Sequence, residues 1–192
     1  ATGSLGIGTS GTGSMLTLAQ GGVATFGASA TVGSTGTINL GGVVGEAAAA
    51  AGTLNVSTLA FGAGTSALNF NHTDSAYNFN PVMTGAGTIN QTGPGTTNLA
   101  GNSNAFTGTT NVNAGKLLVN GTLGNAAGTL NVLNGGTLGG AGTIGGAVIV
   151  ADGGRIAPGN SPGTLTMGTL VLNNTSILDF ELGQANTVGG AL

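Results

Sequence analysis

The string Gly-Thr-x-Asn occurs six times in this chain, at Gly36–Asn39, Gly52–Asn55, Gly87–Asn90, Gly95–Asn98, Gly108–Asn111 and Gly128–Asn131. Glycine turns the backbone through conformations closed to other residues, and Thr favours the extended backbone that follows. Each copy therefore reads as a tight corner feeding a short strand. In Thr53-Leu54-Asn55-Val56, Leu54 and Val56 share one face, and Thr37–Leu40 and Thr129–Val132 repeat the pattern. The longest alternation is Leu178-Asp179-Phe180-Glu181-Leu182, with three large apolar groups on one face and two carboxylates on the other. Looser copies, Gly-Thr followed by Leu or Ile, stand at Gly121, Gly136, Gly142, Gly163 and Gly168. Successive strong copies begin 16, 35, 8, 13 and 20 residues apart, clustering near multiples and fractions of a unit of about 20 residues.

Short strands, glycine corners and a repeat near 20 residues predict an all-β fold, a parallel β-helix solenoid with roughly 20 residues per coil. The alternative all-β architecture, a sandwich, normally shows longer strands of more regular alternation. Nine or ten coils stacked at about 4.8 Å would give a rod about 45 Å long. Composition fits that design. The 192 residues include 41 Gly, 29 Thr and 20 Asn but only seven charged side chains, so polarity comes from hydroxyls and amides that can form ladders between coils. Coiled coils and helical bundles need a different composition. A nucleic-acid partner is excluded for want of a basic face, because Lys116 and Arg155 are the only cations. The net charge of −3 is too small for charge-driven disorder. The one helix-like stretch, Glu46–Ala51, is too short to stand in water and reads as an insertion or a packed corner. Cysteine is absent, which removes disulfides and thiolate metal sites. Residues 1–14 lack the basic and apolar regions of a signal peptide, and no window reaches the length of an apolar membrane span. Both ends interrupt the pattern, so the chain reads as a mature fragment of something larger.

Residues 85–123 carry a more specific pattern: Gly85, Gly87 and Thr88 open it, then Gly101, Asn104, Phe106, Thr107, Gly108 and Thr110, then Asn113, Ala114, Gly115, Leu117 and Val119. This resembles the autotransporter-associated β-strand repeat of type V secreted bacterial proteins, with Phe106 where that family often has Tyr. Residues 135–182 are similar to the same family, most specifically in Ala157-Pro158-Gly159-Asn160-Ser161-Pro162-Gly163-Thr164-Leu165. The chain thus divides into divergent coils over 1–84 and repeat-bearing coils over 85–192 of one continuous solenoid. Asn69–Asn80 is its most divergent segment. The resemblance implies a right-handed parallel β-helical passenger, exported through the periplasm and displayed at the bacterial surface or secreted. Its expected partner is an outer-membrane translocation barrel, with self-association or a host or cell-surface ligand as further partners.

The sequence offers no catalytic, cofactor-binding or metal residues that survive inspection. Two Gly-x-Gly-x-x-Gly matches, Gly6–Gly11 and Gly140–Gly145, lack a following helix and are expected by chance at this glycine content. Gly159-Asn160-Ser161-Pro162-Gly163 mimics a nucleophile elbow, but the residue after the serine must donate its N–H to an oxyanion, and Pro162 has none. It reads as a rigid corner. His72 and Asp74 are a lone pair; a metal would want more ligands, Glu46 is not obviously near, and the bland reading is a solvated loop. Asp179 and Glu181, about 7 Å apart on one strand face, read as exposed residues that keep a strand soluble. The expectation is therefore no enzyme, no cofactor and no small-molecule substrate. The preferred role is a structural stalk or passenger segment that displays adhesive or effector parts and aids its own secretion by folding coil by coil. The alternative is an adhesin or self-associating module working through Thr/Asn faces and open solenoid ends.

Overall fold

A computed structural model describes residues 3–10, 13–159 and 163–181. Twenty-two short strands follow one another, with no helix among the described residues. They fall into eight coils, six of three strands each and two of two strands each. The first coil is β1 (Leu5–Ile7), β2 (Met15–Leu18) and β3 (Val23–Thr25); the second is β4 (Ser29–Val32), β5 (Thr37–Gly41) and β6 (Thr53–Asn55). The third is β7 (Thr58–Phe61), β8 (Ala67–Asn71) and β9 (Tyr77–Phe79), and the fourth β10 (Val82–Gly85), β11 (Thr88–Gln91) and β12 (Thr96–Leu99). Then come β13 (Asn102–Ser103), β14 (Thr109–Val112) and β15 (Lys116–Val119), followed by β16 (Thr122–Leu123), β17 (Thr129–Val132) and β18 (Thr137–Gly140). The last two coils are β19 (Thr143–Val150) with β20 (Arg155–Pro158), and β21 (Thr166–Leu172) with β22 (Ile177–Leu178). In both of these a single long strand runs round a corner and serves two faces: β19 pairs β16 through Thr143 and β17 through Ala147.

Every strand-to-strand pairing is parallel, and each strand's partner is its counterpart one coil away. One face runs β1-β4-β7-β10 and continues through β13, β16 and the start of β19. The second runs β2-β5-β8-β11-β14-β17-β19, with β21 beyond it. The third holds β3-β6 and, separately, β9-β12-β15-β18-β20-β22. The all-β parallel solenoid expected from the corners is the fold.

Coil length departs from expectation at the first half. Thr88 pairs Thr109 and Thr109 pairs Thr129, steps of 21 and 20 residues. Thr37, however, pairs Ala67, a step of 30. The excess comes from residues 42–52 between β5 and β6, the Ala-rich stretch, which forms an irregular insertion. With this one enlarged coil, the described residues form eight coils rather than nine or ten. At about 4.8 Å each the stack is about 38 Å long.

Alternation decides what lies inside. In β11, Ile89 and Gln91 point inward and Thr88 and Asn90 outward, and β14 and β17 repeat this. The inward residues form one continuous column containing Val32, Ile38, Leu40, Leu68, Phe70, Phe79, Ile89, Val112 and Leu130, all at most 1% exposed. Aromatic pairs pack within it: Phe70 meets Phe79 edge-on with centroids 5.3 Å apart, and Phe61 meets Phe106 at 5.7 Å. Burying each such side chain stabilises by about 1.5–3 kcal/mol. Corner glycines permit close stacking. Gly85 sits at φ 88°, and a Cβ there would lie 2.0 Å from the Phe61 carbonyl oxygen one coil below.

The strand expected over 178–182 is not formed as such. β22 ends at Leu178, residues 179–181 are irregular, and Leu182 lies outside the described residues. Alternation alone does not make a strand here: among the described residues β22 has a hydrogen-bonded neighbour, β20, on one side only.

Candidate functional site

Two polar constructions stand out, one along the outward side of the strands and one inside. The outer one is an asparagine ladder on the second face. Asn39 donates its side-chain amide to Thr17 Oγ1 at 3.2 Å, Asn69 to Asn39 Oδ1 at 2.9 Å, and Asn90 to Asn69 Oδ1 at 2.8 Å. Asn111 donates to Asn90 Oδ1 and Asn131 to Asn111 Oδ1, both at 2.9 Å. The parallel register causes this. Residues one coil apart stand directly over one another, so each amide reaches the next carbonyl. The ladder stops where Ile149 stands over Asn131. Beside it, two residues back in each strand, runs a row of Thr37, Ala67, Thr88, Thr109 and Thr129. The result is an uncharged face with a Thr/Asn repeat. A second ladder on the third face joins Asn98 to Asn78 and Asn120 to Asn98.

Four of the six Gly-Thr-x-Asn asparagines (39, 90, 111 and 131) build the first ladder and Asn98 belongs to the second. Asn55 makes a separate bond to Thr25 Oγ1 at 3.1 Å. Asn69 escaped the motif because its strand opens Ser66-Ala67-Leu68 rather than Gly-Thr; its recoverable signal is an Asn two residues after a small outward residue.

The inner construction surrounds His72. The solvated-loop reading of His72 is overturned: the side chain is fully buried. It lies immediately after β8, whose Phe70 ring is 6.3 Å from the imidazole, with Tyr77 at 5.1 Å. The coil above closes the site through Gly95, which donates its N–H to the His72 carbonyl oxygen and leaves no room for a Cβ beside Nδ1. The aromatic richness of Asn69–Asn80 thus serves as a packing level, a consequence of three-dimensional closure that local polarity concealed.

Hydrogen bonds fix the tautomer. Gln91 Nε2 donates to the carbonyls of Gly93 and Gly95, so its Oε1 faces Thr97 and accepts that hydroxyl's single proton at 2.6 Å. Thr97 Oγ1 can then only accept from His72 Nε2, 2.7 Å away. His72 Nδ1 is left as a bare lone pair, buried and without a hydrogen-bond partner. It faces Asp74 Oδ2 at 3.5 Å, an oxygen that already accepts the Ala51 N–H at 2.7 Å. Burial holds the His72 pKa below its ordinary value, against the opposing pull of the Asp74 charge. Tyr77, whose hydroxyl donates to the Gly52 carbonyl at 2.9 Å, is pushed up to about 12 by burial and secondarily by Asp74.

The remaining candidates do not converge. Among the described residues no group of three metal-ligating side chains occurs. Glu46 is exposed in the insertion, although its backbone carbonyl accepts from Asn71 Nδ2. Asp179 and Glu181 do not act as a pair on one strand face: Asp179 binds Arg155 at 2.8 Å in an exposed ion pair, and Glu181 lies beyond β22. In the match Gly140–Gly145, a Cβ at Gly140, Gly142 or Gly145 would strike a carbonyl oxygen of the coil below. Those glycines serve stacking. Residues 160–162 of the elbow-like string lie outside the described residues, as does Gly11 of the first glycine match.

Over 152 residues, 77% of this chain, the sequence is 43% identical to the adhesin BmaC autotransporter of Brucella suis biovar 1 (strain 1330). That level of identity, on a parallel solenoid built from the same repeat corners, decides the relationship. The chain is a segment of the autotransporter passenger type. The chain spans 4% of that relative's length. The location that goes with such a passenger is the cell surface or the extracellular medium. No protein-family model matches the chain, and no solved structure matches it.

Proposed function

We propose that the segment is a structural stalk of an adhesin-type exported protein, displaying adhesive or effector parts carried elsewhere on a longer chain. The observation that carries this reading is the uniform parallel stacking of eight coils around one column of apolar residues, together with identity to a protein named as an adhesin. A translocation barrel on the same polypeptide would export it unfolded, and no disulfide can form to trap it. In a solenoid each coil contacts chiefly its neighbours, so a folded coil templates the next, and folding outside the membrane would bias export outward. The division into divergent coils over 1–84 and repeat coils over 85–192 belongs to the same proposal. Its role is mechanical rather than enzymatic.

The test is export of the full-length protein carrying Leu68→Asp and Ile89→Asp, which place charges in the core column. Slower surface appearance by protease accessibility supports folding-assisted export; an unchanged rate refutes it. For the isolated chain, circular dichroism showing helix, or disorder persisting after denaturant removal, would also refute the stalk.

A second reading is favoured by the uncharged Thr/Asn face, which offers hydrogen bonds to sugars or to the same face of another copy. Concentration-dependent light scattering, compared with an Asn111→Asp variant, tests the self-association form of this. Identical monomeric curves for both would exclude it.

A further inference from the structure

His72 is the chain's single histidine, and it sits where the third coil, the fourth coil and the insertion of the second are tied together. Ala49 forms a parallel bridge to His72, and Thr73 N–H reaches the Ala49 carbonyl. Asp74, two residues further, takes the Ala51 N–H. From the fourth coil, Thr97 accepts from the imidazole and Gly95 binds its backbone. His72, with its neighbours Thr73 and Asp74, thereby links the insertion of the second coil, the end of β8 and the start of β12, and the ring itself supplies the bond to Thr97.

We propose that this joint is an acid-sensitive latch: His72 holds it closed as the neutral Nε2–H tautomer, and protonation at Nδ1 opens it. The proton comes from solvent and adds to the lone pair of Nδ1 without breaking a covalent bond. The titratable groups that face the ring are Asp74, from the turn after β8, and Tyr77, from β9. The fourth coil presents Thr97, Gln91 and the backbone of Gly93 and Gly95, and the insertion presents the backbone of Ala49–Ala51. Glu46, the insertion's acid, is exposed. A cation at Nδ1 would therefore have Asp74 as its one counter-charge. That carboxylate is 37% exposed and engaged by Ala51, while the rest of the ring's surroundings are aromatic or already hydrogen-bonded.

Burial lowers the affinity of the folded ring for a proton, so below the unfolded value of 6.5 the unfolded chain binds more protons than the folded one. Stability contributed by the neutral ring is complete above pH 6.5 and declines as the pH falls through and below it. For a ring still neutral in the fold at pH 5, the unfolding constant rises about 25-fold between pH 7 and pH 5, the maximum that one imidazole can supply.

Nitrogen-15 NMR of the 192-residue chain reads the latch directly, because no other imidazole contributes. The expected result is an Nε2–H tautomer at pH 7.5 and a titration midpoint below 6.5, with amide exchange of residues 70–97 accelerating as it titrates. Asp74→Asn, which removes the counter-charge yet can still accept from Ala51, should move that midpoint lower. His72→Gln should flatten the pH dependence of unfolding between 7 and 5. An Nδ1–H tautomer, a midpoint at or above 6.5, or an acid response that persists in His72→Gln each overturns the proposal. The tautomer and midpoint are measured on the unaltered chain, so they decide the matter even if a variant does not fold.

Discussion

Replacing Asn90 by Ala removes two hydrogen bonds at once, because its amide donates to Asn69 and its carbonyl accepts from Asn111. At about 1 kcal/mol for each net hydrogen bond, the loss should be about 2 kcal/mol. Asn131 stands at the ladder's end and makes one such bond, so Asn131→Ala should cost about 1 kcal/mol by the same reckoning. Asn69→Ala, like Asn90→Ala, breaks two bonds. Both of these variants also strip the donor from a buried acceptor: Asn39, 1% exposed, for Asn69→Ala, and Asn69, 5% exposed, for Asn90→Ala. A buried acceptor left without its donor adds about 1–3 kcal/mol to each loss. The half-buried Asn111, left by Asn131→Ala, can instead turn to water. The predicted order is therefore Asn69 and Asn90 together, well above Asn131. Denaturant unfolding followed by circular dichroism measures the three differences, and amide exchange shows whether the loss is confined to the coils around each site, as nearest-neighbour coupling requires. Equal losses at Asn90 and Asn131, or losses below about 0.5 kcal/mol at both, would refute the idea that the ladder contributes bond by bond.

Other substitutions probe the remaining architecture. Gly108→Ala would place a Cβ 1.8 Å from the Gly87 carbonyl oxygen; with rigid backbone on both sides, circular dichroism and thermal melts should show a severe loss of stability. Gly3→Ala, where nothing lies within 4 Å, should leave the melt unchanged. Leu68→Ala opens the core column beside Phe70 and should cost about 2–5 kcal/mol in chemical unfolding. Arg155→Gln breaks an ion pair whose partners are 41% and 55% exposed, and the same measurement should change by less than about 1 kcal/mol.

Local chemistry made the strands legible. Glycine corners followed by Thr and an alternating apolar residue mark β11, β14 and β17, since a period of two needs no knowledge of distant chain. The scarcity of charge likewise pointed away from nucleic acid before any fold was known. Three features depended on the fold. Residues 42–52 enlarge one coil to 30 residues, so coil number could not be read from an average repeat. Asn69 joins its ladder through bonds to residues 30 and 21 positions away, although its own strand lacks the motif. His72, polar and flanked by Asn71 and Thr73, has every local sign of a surface loop, yet Gly95 and Thr97 of the next coil close over it.

The sequence by itself determined the elements: where the backbone turns, which residues extend, and which side of each strand is apolar. Only the tertiary structure decided which residues stand over one another. In a parallel solenoid that register is set by backbone hydrogen bonds between coils some 18–30 residues apart, so an insertion can widen one separation to 30 while the same residues stay stacked across it.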